Sequence, residues 1–370
     1  MRILAVDVGT GTQDILLFDS EQPVENALQL IMPSPTKIAE GRIRRATESR
    51  RPVLVTGVNS GGGPCHWALE DHLRAGLKAY ATPEAAVTFD DDLDNVKRMG
   101  VALVSDDEAK AVDAEHVPLR DLDLGAISTA LAAFDVSGEF DGLALGCLDH
   151  GAAPPDYSDR LFRFDHMRKV AGGRNDLRAF AYTPDELPDY LTRAKTLVAS
   201  ADSEAPIVFM DTGPAAALGA LQDPIVGERD EQIVLNLGNM HALAFHLRGT
   251  EIISLYEHHT GERTAEQIED FTDRLIGGTL PHEDVFDSKG HGVYYVDSSA
   301  QPKANGERLI AVTGPQRSKL RGSRLKPYFA VPHGDMMVSG CFGLLWAFAE
   351  RHPEHRDEIL TALEVEHVAA

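Results

Sequence analysis

The sequence predicts an α/β protein made of two related halves that face each other across a cleft. A strand, a polar Gly turn and two more strands open the chain at Arg2–Val8, and the same order recurs from Gln232–Leu237. Three short apolar runs, Val53–Thr56, Gly142–Cys147 and Pro206–Met210, read as buried strands, each followed by a Gly-containing segment. With 370 residues, 43% of them hydrophobic, the chain is long enough for two domains with sizeable cores.

The elements follow in order. The first meander is Arg2–Val8, Asp14–Phe18 and Ala27–Met32, with Gly9-Thr10-Gly11-Thr12 as its first turn. Pro35–Ser49 reads as a helix, with basic residues at Arg42, Arg44 and Arg45. After Val53–Thr56 comes the turn Ser60-Gly61-Gly62-Gly63-Pro64. An amphipathic helix over about 66–78 follows, with Trp67, Leu69, Leu73 and Leu77 on its apolar side. Asp90-Asp91-Asp92 suits a helix N-terminus, where the helix dipole favours negative charge. Residues 152–190, rich in Pro, Asp and Arg, read as a loop-rich insertion. Pro214–Leu221 reads as a helix after the strand ending at Met210. The second meander is Gln232–Leu237, His241–Leu247 and Thr250–Tyr256, with a helix Thr264–Ile276 behind it. Glu307–Val312 reads as a strand, Arg317–Lys326 as a basic stretch and Met337–Arg351 as an apolar helix. The expected domains are 1–225, with the insertion near 152–190, then 226–340. The C-terminal helices of 341–370 should pack back on the first domain.

Composition narrows the function. The 58 acidic against 35 basic residues give a net charge of −23, which repels phosphate backbones and argues against nucleic-acid partners. No apolar run approaches the ~20 residues of a membrane span, so no membrane partner is expected. Met1–Val6 runs directly into Asp7 without a signal-peptide core, and three scattered cysteines suit a reducing compartment. The expected location is therefore the cytoplasm. Cys65, Cys147 and Cys341 are far apart in sequence, which excludes a CxxC zinc site or a closely spaced iron–sulfur loop. The 15 histidines are the unusual count, and several sit beside Gly, Asp or another His.

The segment Asp7-Val8-Gly9-Thr10-Gly11-Thr12 carries the most chemistry. A carboxylate near the end of a buried strand can hold Mg²⁺ through water, and a Gly/Thr turn presents amides and hydroxyls to phosphate. No Gly-Lys-Ser/Thr follows, and a strand rather than a helix succeeds the turn, so it is neither a Walker loop nor a Rossmann fingerprint. Later come Asp211-Thr212-Gly213 with its small-residue helix, then Asn236-Leu237-Gly238-Asn239-Met240-His241 and Val338-Ser339-Gly340-Cys341-Phe342-Gly343. In this order and spacing the chain resembles the actin-like ATPase superfamily of sugar kinases, heat-shock chaperone ATPases and actin. The resemblance implies two ribonuclease H-like domains flanking a nucleotide cleft, with ATP and Mg²⁺ as cofactors. It implies that Asp7 holds the metal and that Gly9, Thr10, Gly11 and Thr12 bind phosphate. Gly238 and Asn239 would close the second side, and Gly340 and Gly343 would flank adenosine. The chain departs from the pattern where Asn236 replaces a second carboxylate and His241 a hydroxyl. Through Ser60–Pro64, Leu148–Gly151, Gly290–Gly292 and His333–Met337 it resembles, more closely, a prokaryotic domain-of-unknown-function family often labelled pyruvate formate-lyase activating. That activity needs a radical-generating cluster on three closely spaced cysteines, which this sequence lacks.

Other positions invite a role. Gly61, Gly62 and Gly63 lie between a strand and a helix and can face an anion. Asp149, His150 and Asp211 stand just past or at strand ends, where open sheets place ligands, and are candidates to act on the nucleophile. His150, His241, His258, His259, His291 and His333 can converge on a metal, although His258 and His259 point to opposite faces of a strand. Arg317, Lys319, Arg321, Arg324 and Lys326 form either an anion clamp or a solvated loop. The expected function is ATP hydrolysis or phosphoryl transfer to an unidentified small molecule. The alternatives are a nucleotide-gated regulator with little turnover and a metal-dependent group-transfer enzyme using the histidines. Protein partners and homo-oligomerisation stay open.

Overall fold

The computed structural model describes residues 1–296 and 308–364. Its strands, in chain order, are β1 (Arg2–Val8), β2 (Thr12–Asp19), β3 (Leu28–Pro33), β4 (Val53–Gly57), β5 (Ala79–Ala81), β6 (Val101–Leu103), β7 (Glu115–Leu119) and β8 (Gly142–Cys147). They continue as β9 (Ala181–Tyr182), β10 (Ile207–Asp211), β11 (Gln232–Leu237), β12 (His241–Arg248), β13 (Glu251–His259), β14 (Gly292–Tyr295), β15 (Leu309–Thr313) and β16 (Tyr328–Phe329). Glu307, the first residue of one expected strand, lies outside the described residues, as do 365–370.

Two six-stranded sheets repeat one plan. The first has the order β3-β2-β1-β8-β10-β9 and the second β14-β13-β12-β11-β15-β16. In each, an antiparallel meander supplies one side, and two parallel strands extend the other: β8 and β10 beside β1, β15 and β16 beside β11. The fold is thus α/β with two sheets of matched topology, the architecture that the actin-like resemblance implies. The central strands are buried along nearly their whole length, which is why they read as continuous apolar runs.

A third sheet, β6-β5-β4-β7, is all parallel and occupies the chain between β3 and β8. Sequence reading found only β4: β5 and β6 have three residues each, too few to show a period, and the five-residue β7 carries Glu115, His116 and Pro118. Residues 152–190 are not loop-rich: they contain the 15-residue helix Asp159–Gly173. Its buried face mixes Phe164, Met167 and Ala171 with Arg163 and His166, and these polar members mask the helical period. The helix Pro64–Arg74 buries Leu69 but leaves Trp67 48% exposed, so Trp67 is not on its core face.

Helices Thr212–Ala220 and Ser339–Arg351 join the two sheets through one hydrophobic core that includes Ile3, Ala144, Val234, Phe245 and Phe342. They cross at glycines. A methyl group on Gly219 would run into the Ser339 carbonyl, and one on Gly343 into the Ala215 carbonyl. Gly343 therefore packs the helix crossing, and it does not line the cleft described below. No described helix is long and apolar enough to cross a membrane.

Candidate functional site

A cleft of about 960 Å³ runs between the first turn of each meander. The two turns are built alike. The Gly9 amide donates to the Thr12 carbonyl at 3.0 Å, and the Gly238 amide donates to the His241 carbonyl at 2.9 Å. They also meet: a methyl group on Gly11 would strike the Asn239 side chain, which accepts a bond from Gln316 at 3.2 Å. Asp7, Gly9, Thr10 and Thr12 line one wall, and Gly238 and Asn239 the opposite one. Gly340 also lines the cleft, but at Asp7, whose carboxylate leaves no room for a Cβ there. It therefore stands at the carboxylate end of the cleft.

Asp7 faces Asp14 directly in the β1–β2 register. Both side chains are buried, and each has an Oδ1 with no hydrogen-bond partner. Burial pushes Asp7 up to about 6. Burial and the Asp7 charge push Asp14 up to about 8. Leaving a buried acceptor unpaired costs roughly 1–3 kcal/mol, so two such oxygens side by side suit a bound divalent cation. Asp14 was not among the sequence candidates. Its signal was available, as a carboxylate two residues inside β2 that pairs with Asp7.

Gly61, Gly62 and Gly63 line the cleft as expected. The Gly61 amide, however, donates to Asp121 Oδ1 at 3.1 Å, and the Gly61 backbone is packed against the Arg193 guanidinium. Arg193 is in turn paired with Asp121 at 2.7 Å and donates to the Leu148 carbonyl at 2.7 Å.

Two of the three expected catalytic residues have other duties. Asp149 lines the cleft, but its oxygens accept from the Gly151 amide at 2.8 Å and the Ala194 amide at 2.9 Å. Burial raises its pKa, and these backbone donors oppose the rise. It fixes the turn after β8 and the first turn of helix Thr192–Ala199. Asp211 does not line the cleft. It caps helix Thr212–Ala220 by accepting from the Gly213 amide at 3.0 Å and is ion-paired with Arg163. Arg163 is fully buried. Its Nε reaches the Glu257 oxygens at 3.2 and 3.3 Å, and its Nη1 donates to the Asp149 carbonyl at 3.1 Å. This guanidinium binds the end of β10 to β13 of the second sheet. Nothing in the sequence pattern marked Arg163 or Glu257.

His150 does reach the cleft, beside His241. His150, His241 and His291 offer nitrogens that all lie within 4.8 Å of one another. His150 Nε2 and His291 Nε2 are 3.4 Å apart. His241 Nδ1 sits 2.9 Å from Glu257 Oε1. The Nδ1 of fully buried His291 has no partner. The His259 ring lies 4.9 Å from the rings of both His241 and His291. Burial holds His150 well below the usual imidazole range, His291 at about 2 and His259 at about 4. Burial would raise Glu257, yet Arg163, His291 and His241 hold it well below the usual carboxylate range. His258 turns the other way, to Ser288 and Arg263, as strand alternation requires. His333 bonds Gln222 at 3.0 Å in a different place.

The basic stretch takes no part in the cleft. Lys319 donates to the carbonyls of Thr260 and Arg263, Arg324 pairs with Glu269 and Asp273, and Arg317 donates to the Ala330 carbonyl. These are structural contacts, not an anion clamp.

Fold and cleft together define the class: an α/β protein with two sheets of matched topology whose paired turns face across one cleft. The family described as "Putative pyruvate format-lyase activating enzyme (DUF1786)" matches residues 60–319, and the chain belongs to that family. Among curated proteins none matches. Among solved structures it is similar to the ethanolamine utilization protein EutJ from Carboxydothermus hydrogenoformans, at 11% identity and a TM-score of 0.32, over 93% of this chain and 89% of that one. It is also similar to the activator of the 2-hydroxyisocaproyl-CoA dehydratase from Clostridium difficile with bound ADPNP, at 9% identity and a TM-score of 0.31, over 96% and 98%. The donor set does not fit the closely spaced cysteines of an iron–sulfur cluster. Cys65, Cys147 and Cys341 are all buried: Cys65 at the start of a helix, Cys147 at the end of β8 and Cys341 in the helix Ser339–Arg351. Burial raises the pKa of each thiol. No described group of metal-ligating side chains contains a cysteine.

Proposed function

We propose that the cleft binds a nucleotide with its phosphates between the two Gly turns, and that the protein uses it for ATP hydrolysis or for phosphoryl transfer to a small molecule. One observation carries this reading: two turns with the same Gly amide closure face each other beside two buried, unpaired carboxylate oxygens. The Gly9–Thr12 turn would present its amides and hydroxyls to the phosphates, and Gly238 and Asn239 would close the other side. Asp7, with Asp14 across the register, would hold Mg²⁺, which neutralises charge on the phosphoryl oxygens. Pro315, Met336 and Met337 line the cleft and offer apolar surface against which a base can lie. Asp149 and Asp211 are committed to backbone amides and Arg163, so activation of the nucleophile falls to the histidine side.

Calorimetry at millimolar nucleotide tests the reading. Binding of one Mg-ATP or Mg-ADP per chain is expected, with Asp7→Asn abolishing the effect of Mg²⁺. Absence of any nucleotide binding with Mg²⁺ present would overturn it. Asn236 supports a second reading, a nucleotide-gated regulator. It stands where β1 carries Asp7, two residues before the Gly of its turn, and its side chain is neutral. Turnover below the ~1 s⁻¹ floor of typical enzymes would favour that version, and turnover within the ~1–10³ s⁻¹ range would exclude it.

A further inference from the structure

We infer that His150, His241 and His291 form a binding site for one divalent first-row transition ion of the Zn²⁺ class, built from both halves of the chain and open to the cleft. His150 follows β8 of the first sheet, whereas His241 begins β12 and His291 precedes β14 of the second. Three imidazoles on separate segments converge with nitrogens within 4.8 Å of one another. The 3.4 Å between His150 Nε2 and His291 Nε2 is the informative distance. Two nitrogens at the usual ~2.0–2.1 Å from a tetrahedral ion are roughly 3.3–3.4 Å apart, so this pair already has the spacing of two ligands.

The surroundings fit as well. A ligating imidazole commonly gives its other nitrogen to a carboxylate, which fixes its tautomer. His241 Nδ1 does so with Glu257, and Glu257 is immobilised by Arg163. Its Nε2 is then left for the ion. The buried His291 Nδ1 has no protein partner. With Nε2 as the ligating atom, Nδ1 is the outer nitrogen, so His241 and not His291 shows the carboxylate-oriented second shell. His150 and His241 line the cleft while His291 is closed off behind them. The position left by three ligands therefore faces the cleft, where a water or a substrate oxygen can take it, as in open three-ligand sites. Softer thiolate-loving ions are disfavoured by the all-nitrogen set, and Mg²⁺ by the absence of oxygen ligands. This site is independent of the carboxylate pair at Asp7 and Asp14.

The test uses the full chain stripped of metal and titrated with Co²⁺, whose visible absorption reports coordination, followed by Zn²⁺ competition. Expected is one ion per chain with the intense spectrum of a four-coordinate site. His150→Ala and His241→Ala should each weaken binding by at least ~10²-fold, and Glu257→Gln by about 10–100-fold. His333→Ala, remote from the cluster, should bind as the parent does. Circular dichroism and melting of the metal-free variants separate ligand loss from misfolding. His150→Ala is the decisive variant, because His150 stands on the cleft wall, where its loss leaves the core packing in place. No stoichiometric Co²⁺ binding by the parent protein would overturn the proposal, as would equal binding by a folded His150→Ala. The titration is run without nucleotide, so its failure and failure of nucleotide binding are read separately.

Discussion

Replacing Arg163 by methionine tests what holds the two sheets in register. The guanidinium is fully buried and meets two carboxylates, Asp211 at the end of β10 and Glu257 in β13. Methionine fills similar volume and keeps the helix Asp159–Gly173, but it leaves both carboxylates buried without a cation. Removing one partner of a buried ion pair costs about 3–5 kcal/mol, because the remaining charge stays desolvated. Here two acids lose the same partner, so the upper half of that range is expected. The pH dependence has a definite sign. In the parent, Glu257 is held well below its ordinary 4.5, so it contributes stability above that value, and this is lost as pH falls through the folded value. In Arg163→Met the first cause acting on Glu257 is burial, which raises it, so stability instead falls as pH rises. The gap between the two proteins should therefore widen from pH 4 to pH 8. Urea unfolding followed by circular dichroism at several pH values measures it. A loss below about 1 kcal/mol at pH 7, or a gap independent of pH, would show that Arg163 is not the tie between the sheets.

Two more predictions follow from the cleft and its supports. Asp14 has a folded value of about 8 against an ordinary 3.8, so folding takes up a proton there. Its contribution is best at low pH and erodes as pH rises from about 4 to 8, and Asp14→Asn should remove that slope and gain about 2 kcal/mol or more at pH 8. Parallel stability profiles from urea unfolding at pH 5 and 8 would refute the assignment. Gly343→Ala should cost about 1–3 kcal/mol, because the added methyl meets the Ala215 carbonyl where two helices cross. Its nucleotide affinity by calorimetry should be unchanged. A normal melting temperature with lost affinity would instead return Gly343 to the ligand.

What the sequence disclosed and what it hid have physical reasons. The meanders were legible because β1, β2, β11 and β12 are long, apolar and separated by turns that require Gly. The same turns marked Asp7, Gly9, Thr10 and Gly238. The parallel sheet of β4 to β7 was mostly hidden, since the three-residue β5 and β6 have no period to read and β7 is interrupted by His116 and Pro118. Asp149 and Asp211 looked catalytic because carboxylates at strand ends often are. Their engagement by the amides of Gly151, Ala194 and Gly213 depends on where the next helix begins, which a linear pattern does not specify. Arg163 was invisible for a related reason. An arginine with two carboxylate partners 48 and 94 positions away has no local signature.

The two halves differ where their repeat is closest. Gly9 to Thr12 and Gly238 to His241 close with the same hydrogen bond, so Thr12 and His241 hold equivalent places. So do Asp7 and Asn236 before them, and Asp14 and Leu243 in the facing strands. The first half has a full set for a phosphate-bound cation: two carboxylates and two hydroxyls. The second has lost both carboxylates and put an imidazole where the hydroxyl would be. It also carries Glu257 directly across from Leu243 in β13, one strand further out, where it reaches His241. Loss of charge at Asn236 and gain of a carboxylate-oriented imidazole at His241 are thus two sides of one change. Under the two proposals made above, they set the second turn to a nitrogen-loving ion where the first takes a phosphate-linked hard cation. A double substitution, Asn236→Asp with His241→Thr, should restore the first half's chemistry to the second. It is expected to raise Mg-nucleotide affinity while abolishing Co²⁺ binding. If it left both affinities unchanged, the two turns would not be performing these separate tasks.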